Sequence, residues 1–286
     1  MRPLYTREVE KPGFWVPALR AVLGFGVMIL LAEMLFRGFL VPLLGVRLTD
    51  TPDVRQWPGM LVLGVLFPVV MTGLALGLCR FADRRPIREM GLHVGRAGCV
   101  MLVSGVLLMA AGFGVFIGIT ELSGTLRWRL SAAVSWRFLL TAAVVYLGTG
   151  LWEEFFFRGY LYRTLTAYGK PTAYLVSILL FSLIHFTEEP FLVSRILNLL
   201  LVSFFLTYVY DRTTSIWPGV VLHGSWNLLS FLAVSNQVGV SPLLVHGPAG
   251  PPLRWFSTVL HVVLVALVWQ VCSGRDGSAL HDTVPL

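Results

Sequence analysis

Eight apolar stretches, most of them near the length a helix needs to cross a bilayer, dominate this chain and leave it few ways to fold. They run near residues 17–44, 57–79, 98–119, 137–162, 171–186, 191–210, 217–235 and 255–273, the first long and the fifth short. About 20 apolar residues span ~30 Å of hydrocarbon. Inside lipid every backbone polar group must find its partner within the protein, which favours helices. Of the 286 residues, 56% are hydrophobic and only 13% charged, where soluble domains carry roughly 25% charge. The expected architecture is all-α and polytopic: about eight transmembrane helices in one bundle, a single domain over 1–275 enclosing an intramembrane polar site. The motif-bearing core lies at about 135–235, and 276–286 is expected to be a disordered tail. The polar N-terminus precedes a long span with no A-x-A-like cleavage site, so that span is expected to stay in the membrane.

The net charge is +7, and the positive charge is nearly all arginine, with Lys11 and Lys170 the only lysines. In a soluble chain that excess would suggest nucleic acid. Here the arginines fall between apolar spans, where they set topology and meet anionic headgroups, so the expected partner is the lipid bilayer and not nucleic acid. Arg80, Arg84, Arg85, Arg88 and Arg96 form the densest basic loop. Placing that loop in the cytoplasm brings both termini, the 163–170 loop and Asp211–Arg212 to the same side. The segments 45–56, 120–136, 187–190 and 236–254 then lie opposite, with Arg127 and Arg129 fitting poorly. The expected location is a bacterial cytoplasmic membrane. Cys79, Cys99 and Cys272 have no metal-ligand spacing and read as small buried residues.

Ionisable residues inside apolar spans cost roughly 2.5–3.5 kcal/mol each at the bilayer centre and mark functional sites by default. Glu153, Glu154 and Arg158 sit in GLWEEFFFRGYL, His185 ends LVSILLFSLIH, and His223 and Asn227 sit in WPGVVLHGSWNLLSFL. Glu154 and Arg158 are four apart and share a helix face, which predicts a structural ion pair. Glu153 is turned about 100° away and is left unpaired. An unpaired carboxylate in apolar surroundings holds a proton more tightly than one in water, which suits a general base. His223 and Asn227 also share a face, and an amide or imidazole N–H suits a developing oxyanion. A weaker echo, Glu33–Arg37 in AEMLFRGFL, lacks a second acid and reads as chance or as an ion pair steadying the first helix.

Three motifs in order, E-E-x-x-x-R at Glu153–Arg158, F-x-x-x-H at Phe181–His185 and H-x-x-x-N at His223–Asn227, resemble the CPBP family of intramembrane proteases. That family includes the type II CAAX prenyl endopeptidases and bacterial proteins tied to bacteriocin processing and self-immunity. The resemblance implies a glutamate-dependent endopeptidase acting on a membrane-associated peptide or protein near the cytoplasmic side. Glu153 with His185 would activate water, His223 with Asn227 would stabilise the oxyanion, and Glu154 and Arg158 would support the site. No cofactor is expected. If a metal is present, zinc on Glu153, His185 and His223 is the candidate set, although H-E-x-x-H is missing and Asn is a poor zinc ligand. Two other functions could use the same residues. One is a non-proteolytic regulator or immunity protein that binds in the pocket. The other is a proton-coupled transporter, against which no inverted repeat is visible.

Overall fold

The computed structural model describes residues 13–47, 54–131, 134–185, 193–234, 242–247 and 250–273. They form eight helices: α1 (Trp15–Leu43), α2 (Trp57–Ala82), α3 (Arg96–Leu122), α4, α5 (Lys170–Ile184), α6 (Val193–Thr213), α7 (Trp217–Val234) and α8 (Gly250–Ser273). Helix α4 is compound, running from Trp136–Glu154 through Phe155–Tyr162 to Arg163–Leu165. Each apolar stretch of the sequence falls on one helix, and the molecule is an all-α polytopic membrane protein. The expected tail 276–286, the residues Arg2, Arg7 and Lys11, and the segment 187–190 lie outside the described residues.

Length and apolarity divide the helices into two groups. Stretches long and apolar enough to cross a membrane are Trp15–Leu43, Trp57–Ala82, Gly98–Leu122 and Pro252–Gln270, on α1, α2, α3 and α8. These helices leave large side chains bare, among them Leu19, Leu23, Leu30, Leu107, Val115, Ile119, Val259 and Val262. Apolar surface that extensive belongs against acyl chains. The ionisable residues of the motifs lie on α4, at the end of α5 and on α7, and Glu153, Glu154, Arg158 and His223 are buried. Helix α4 lies between α2 and α7, α7 between α4 and α3, and α6 between α5 and α8.

The tightest of these contacts is α4 on α7. A Cβ on Gly150 would stand 2.7 Å from the Val220 carbonyl and 2.8 Å from the Gly224 nitrogen, and one on Gly224 would stand 2.8 Å from Leu147 Cα. Only glycine lets these two backbones touch, as small residues do where membrane helices approach closely. The three phenylalanines 155–157 are core residues, with the Phe25 ring of α1 at 4.7 Å from Phe156 and 5.6 Å from Phe157.

At one end of the bundle the basic loop folds under α4 and α7. Arg85 donates to Thr164 Oγ1 at 2.8 Å, Trp217 Nε1 to the Leu92 carbonyl at 2.8 Å, and Lys170 pairs with Asp211 at 2.9 Å. At the other end a short antiparallel ribbon, β1 (Arg127–Leu130) with β2 (Leu243–His246), joins segments read from sequence as plain loops. Trp128 anchors it through Nε1 to Thr120 Oγ1 at 2.9 Å. Arg127, awkward for the charge rule, is matched there by Glu121 at 3.0 Å. Cys79 is buried, but Cys99 is exposed on α3, a correction to its reading as a buried residue. It starts an apolar face with Val100 and Val103 that needs no burial inside the protein. The Cys272 side chain lies outside the described residues.

Candidate active site

Helix α4 begins at a Ser135 cap, whose Oγ accepts from the Phe138 N–H, and runs regularly to Glu154. From Phe155 to Tyr162 it widens into a π-helical stretch in which every residue is buried. Widened turns of this kind are frequent at functional sites; Phe36–Leu40 on α1 and Leu78–Ala82 on α2 widen in the same way away from this cluster. Arg158 lies in it and is fully buried. Its Nη1 donates to Glu154 Oε1 at 2.7 Å, and its Nη2 donates to the Ser203 carbonyl and Oγ, both at 3.1 Å. The guanidinium lies 4.6 Å over the Phe181 ring, a cation–π contact worth more when desolvated. The expected clamp is therefore present, and it reaches two further helices, α5 and α6.

Glu154 does more than hold Arg158. The same Oε1 stands 3.1 Å from His223 Nδ1. With Glu154 ionised beside its arginine, the imidazole Nδ1–H donates and the ring turns its Nε2 toward Glu153, 3.7 Å from Oε2. His185 is oriented by its own backbone. Its Nδ1 lies 2.8 Å from the Phe181 carbonyl, which can only accept, so Nδ1 carries the proton. Its Nε2 faces Glu153 Oε2 at 3.9 Å. Arg195 Nη2 in turn donates to the His185 carbonyl at 3.0 Å, satisfying the exposed end of α5.

Glu153, His185 and His223 thus come together from α4, α5 and α7, around one carboxylate oxygen. Glu153 and His223 side chains are each 5% exposed and His185 21%, so the cluster opens on the His185 side. Glu153 Oε2 is buried and has no hydrogen-bond partner among the described residues. A group entering there must offer it a proton or positive charge. Asn227 lies one turn beyond His223 on α7, half-buried. Glu33 and Arg37 form an exposed 2.8 Å pair on α1, outside this cluster, as the echo suggested.

Two supports went unread in the sequence. Ser203 receives Arg158 from α6; a small polar residue one turn before Thr207 in an apolar run was the available signal. Gly219 faces Glu154, where a Cβ would stand 2.9 Å from Oε2. A metal would need ligands at ~2.0–2.2 Å, and among the described residues no three His, Cys, Asp or Glu side chains are grouped to hold one.

Residues 135–229, from the α4 cap to just past Asn227, match the family model described as type II CAAX prenyl endopeptidase Rce1-like. Over that core, this chain resembles the type II CAAX prenyl endopeptidases. The CAAX-endopeptidase-like core contains all three motifs and covers about a third of the chain, leaving α1, α2, α3 and α8 outside it. UPF0177 protein YxdF of Lactococcus lactis subsp. lactis (strain IL1403) is 33% identical over 82 residues, 29% of this chain and 43% of that protein. The match therefore spans less than half of that relative's length. No solved structure matches the chain.

Proposed function

We propose that this protein is an intramembrane endopeptidase that hydrolyses a peptide bond in a membrane-associated peptide or protein, with Glu153 as the base. The observation that carries this reading is the placement of Glu153 Oε2 between the Nε2 atoms of His185 and His223, at 3.9 and 3.7 Å. Water beside Oε2 and His185 gives its proton to Glu153, and its oxygen attacks the scissile carbonyl carbon. The C=O electron pair moves onto oxygen as the tetrahedral intermediate forms. His223 and Asn227 then donate hydrogen bonds to that oxyanion. Glu153 passes its proton to the amide nitrogen, the C–N bond breaks, and a carboxylic acid and an amine leave.

Geometry supports the role of His223, whose Nδ1 is held by Glu154 at 3.1 Å and whose Nε2 is turned toward the reacting centre. Activating water this way requires no metal. The basic-loop end of the bundle is assigned to the cytoplasm on the excess of arginine, which puts His223, near that end of α7, toward the cytoplasmic half.

The test is purified protein in liposomes with membrane-anchored fluorogenic peptides. Wild type should cleave one or more of them and be indifferent to chelators. Glu153→Gln should lose at least ~10²-fold in rate, the low end for a positioned acid–base group, with folding intact. Full activity in Glu153→Gln would overturn the assignment of the base, and loss of activity with EDTA restored by zinc would overturn metal-free hydrolysis.

A further inference from the structure

A cavity of about 550 Å³ at the basic end is lined by Arg80, Arg84, Pro86, Ile87 and Arg88. Its cations are not consumed by the protein. Of the neighbouring acids, Asp83 is taken by Arg20 and Glu89 by Arg85. Among the described residues no carboxylate pairs with Arg80, Arg84 or Arg88. Arg85, by contrast, turns inward to Thr164. Arg84 adopts a φ of +56°, rare for a residue with a side chain, and so the chain turns sharply between its two arginine neighbours in the cavity wall.

The position of this open groove at the end of α2 points to its ligand. Arg80 lies in the last turn of α2, whose membrane-crossing stretch ends at Ala82. Next to it Phe81 is 80% exposed, and Ile87 in the wall is 40% exposed. Cations at the end of an apolar helix beside bare apolar side chains suit a phosphate that carries acyl chains. We propose that Arg80, Arg84 and Arg88 bind the headgroup of an anionic phospholipid, with Phe81 and Ile87 against its upper chain.

This site is joined to the candidate active site by one short segment. Past Arg88 the chain buries Met90 on Gly159, next to Arg158, and a Cβ on Gly159 would stand 3.2 Å from the Met90 carbonyl oxygen. It then ties to the start of α7 through Gly91 O to Ile216 N at 3.0 Å and His93 O to Ser215 Oγ at 2.7 Å. A lipid held at the arginines would thus sit one short segment away from Gly159 and the start of α7.

Native mass spectrometry of the full chain released from detergent tests the proposal, with phosphatidylglycerol, phosphatidylcholine and inorganic phosphate as probes. Wild type should retain phosphatidylglycerol over phosphatidylcholine and resist millimolar phosphate. Arg80→Gln/Arg84→Gln/Arg88→Gln should bind phosphatidylglycerol about a hundredfold more weakly, at roughly fivefold per arginine. Arg163→Gln, at the same end but outside the cavity, should bind as wild type does. If the triple variant does not fold, the three single variants carry the same test at fivefold each. Undiminished retention in the arginine variants, equal retention of the two lipids by wild type, or displacement of the lipid by phosphate would each overturn it.

Discussion

Replacing Arg158 by Met keeps an unbranched apolar stem, removes the cation, and leaves Glu154 with His223 as its remaining polar partner among the described residues. Both glutamates are buried, at 4% and 1% exposure. Breaking a buried pair by removing one partner costs about 3–5 kcal/mol in general, because the other charge is left buried and uncompensated. SDS-driven unfolding in mixed micelles measures this. The double variant Glu154→Gln/Arg158→Met removes the surplus charge and leaves an amide oxygen for His223 Nδ1. It should regain at least ~2 kcal/mol over the single variant, a coupling within the range of contacting residues. A single variant within ~1 kcal/mol of wild type, or a double variant no better than the single one, would refute the reasoning.

Two further outcomes follow from the packing. Gly224→Ala puts a Cβ 2.8 Å from Leu147 Cα, a backbone contact that cannot turn aside. It should destabilise the bundle by ~1–3 kcal/mol and lower peptide cleavage even where the protein remains folded, measured on the same micelle and liposome preparations. Glu33→Ala breaks an exposed pair on α1, with side chains 70% and 49% accessible for Arg37 and Glu33, outside the active-site cluster, and should leave peptide cleavage by the folded protein unchanged.

Most of the helix layout was legible because hydrocarbon imposes a simple rule on composition. Each apolar stretch maps to one helix, and Glu154–Arg158 pair at the spacing that helix geometry prescribes. Depth and partner choice were less legible. His223 reads as a partner of Asn227 from their four-residue spacing, yet its nearest charged neighbours are Glu154 and Glu153, seventy positions back in sequence. Periodicity reports which residues share a face and is silent about which face meets it. The β1–β2 ribbon escaped notice for a related reason. Four residues per strand give too little alternation to stand out, and Trp128 is held by Thr120 and Glu121 on a neighbouring helix end.

The meeting of α4 with α7 shows how the site depends on residues without functional groups. Glu153 lies three residues after Gly150, and His223 immediately precedes Gly224. The two functional side chains therefore sit within a turn of the point where the backbones touch. A Cβ at either glycine would have to fit where backbone atoms already stand 2.7–2.8 Å away. The helices would have to part by more than the margin between a 3.1 Å hydrogen bond from His223 to Glu154 and none. Ser203 and Phe181 fix the other side by holding Arg158, so Glu154 is pinned before His223 reaches it. The ionisable residues supply the chemistry, but their spacing is set by two glycines whose only contribution is the absence of a side chain.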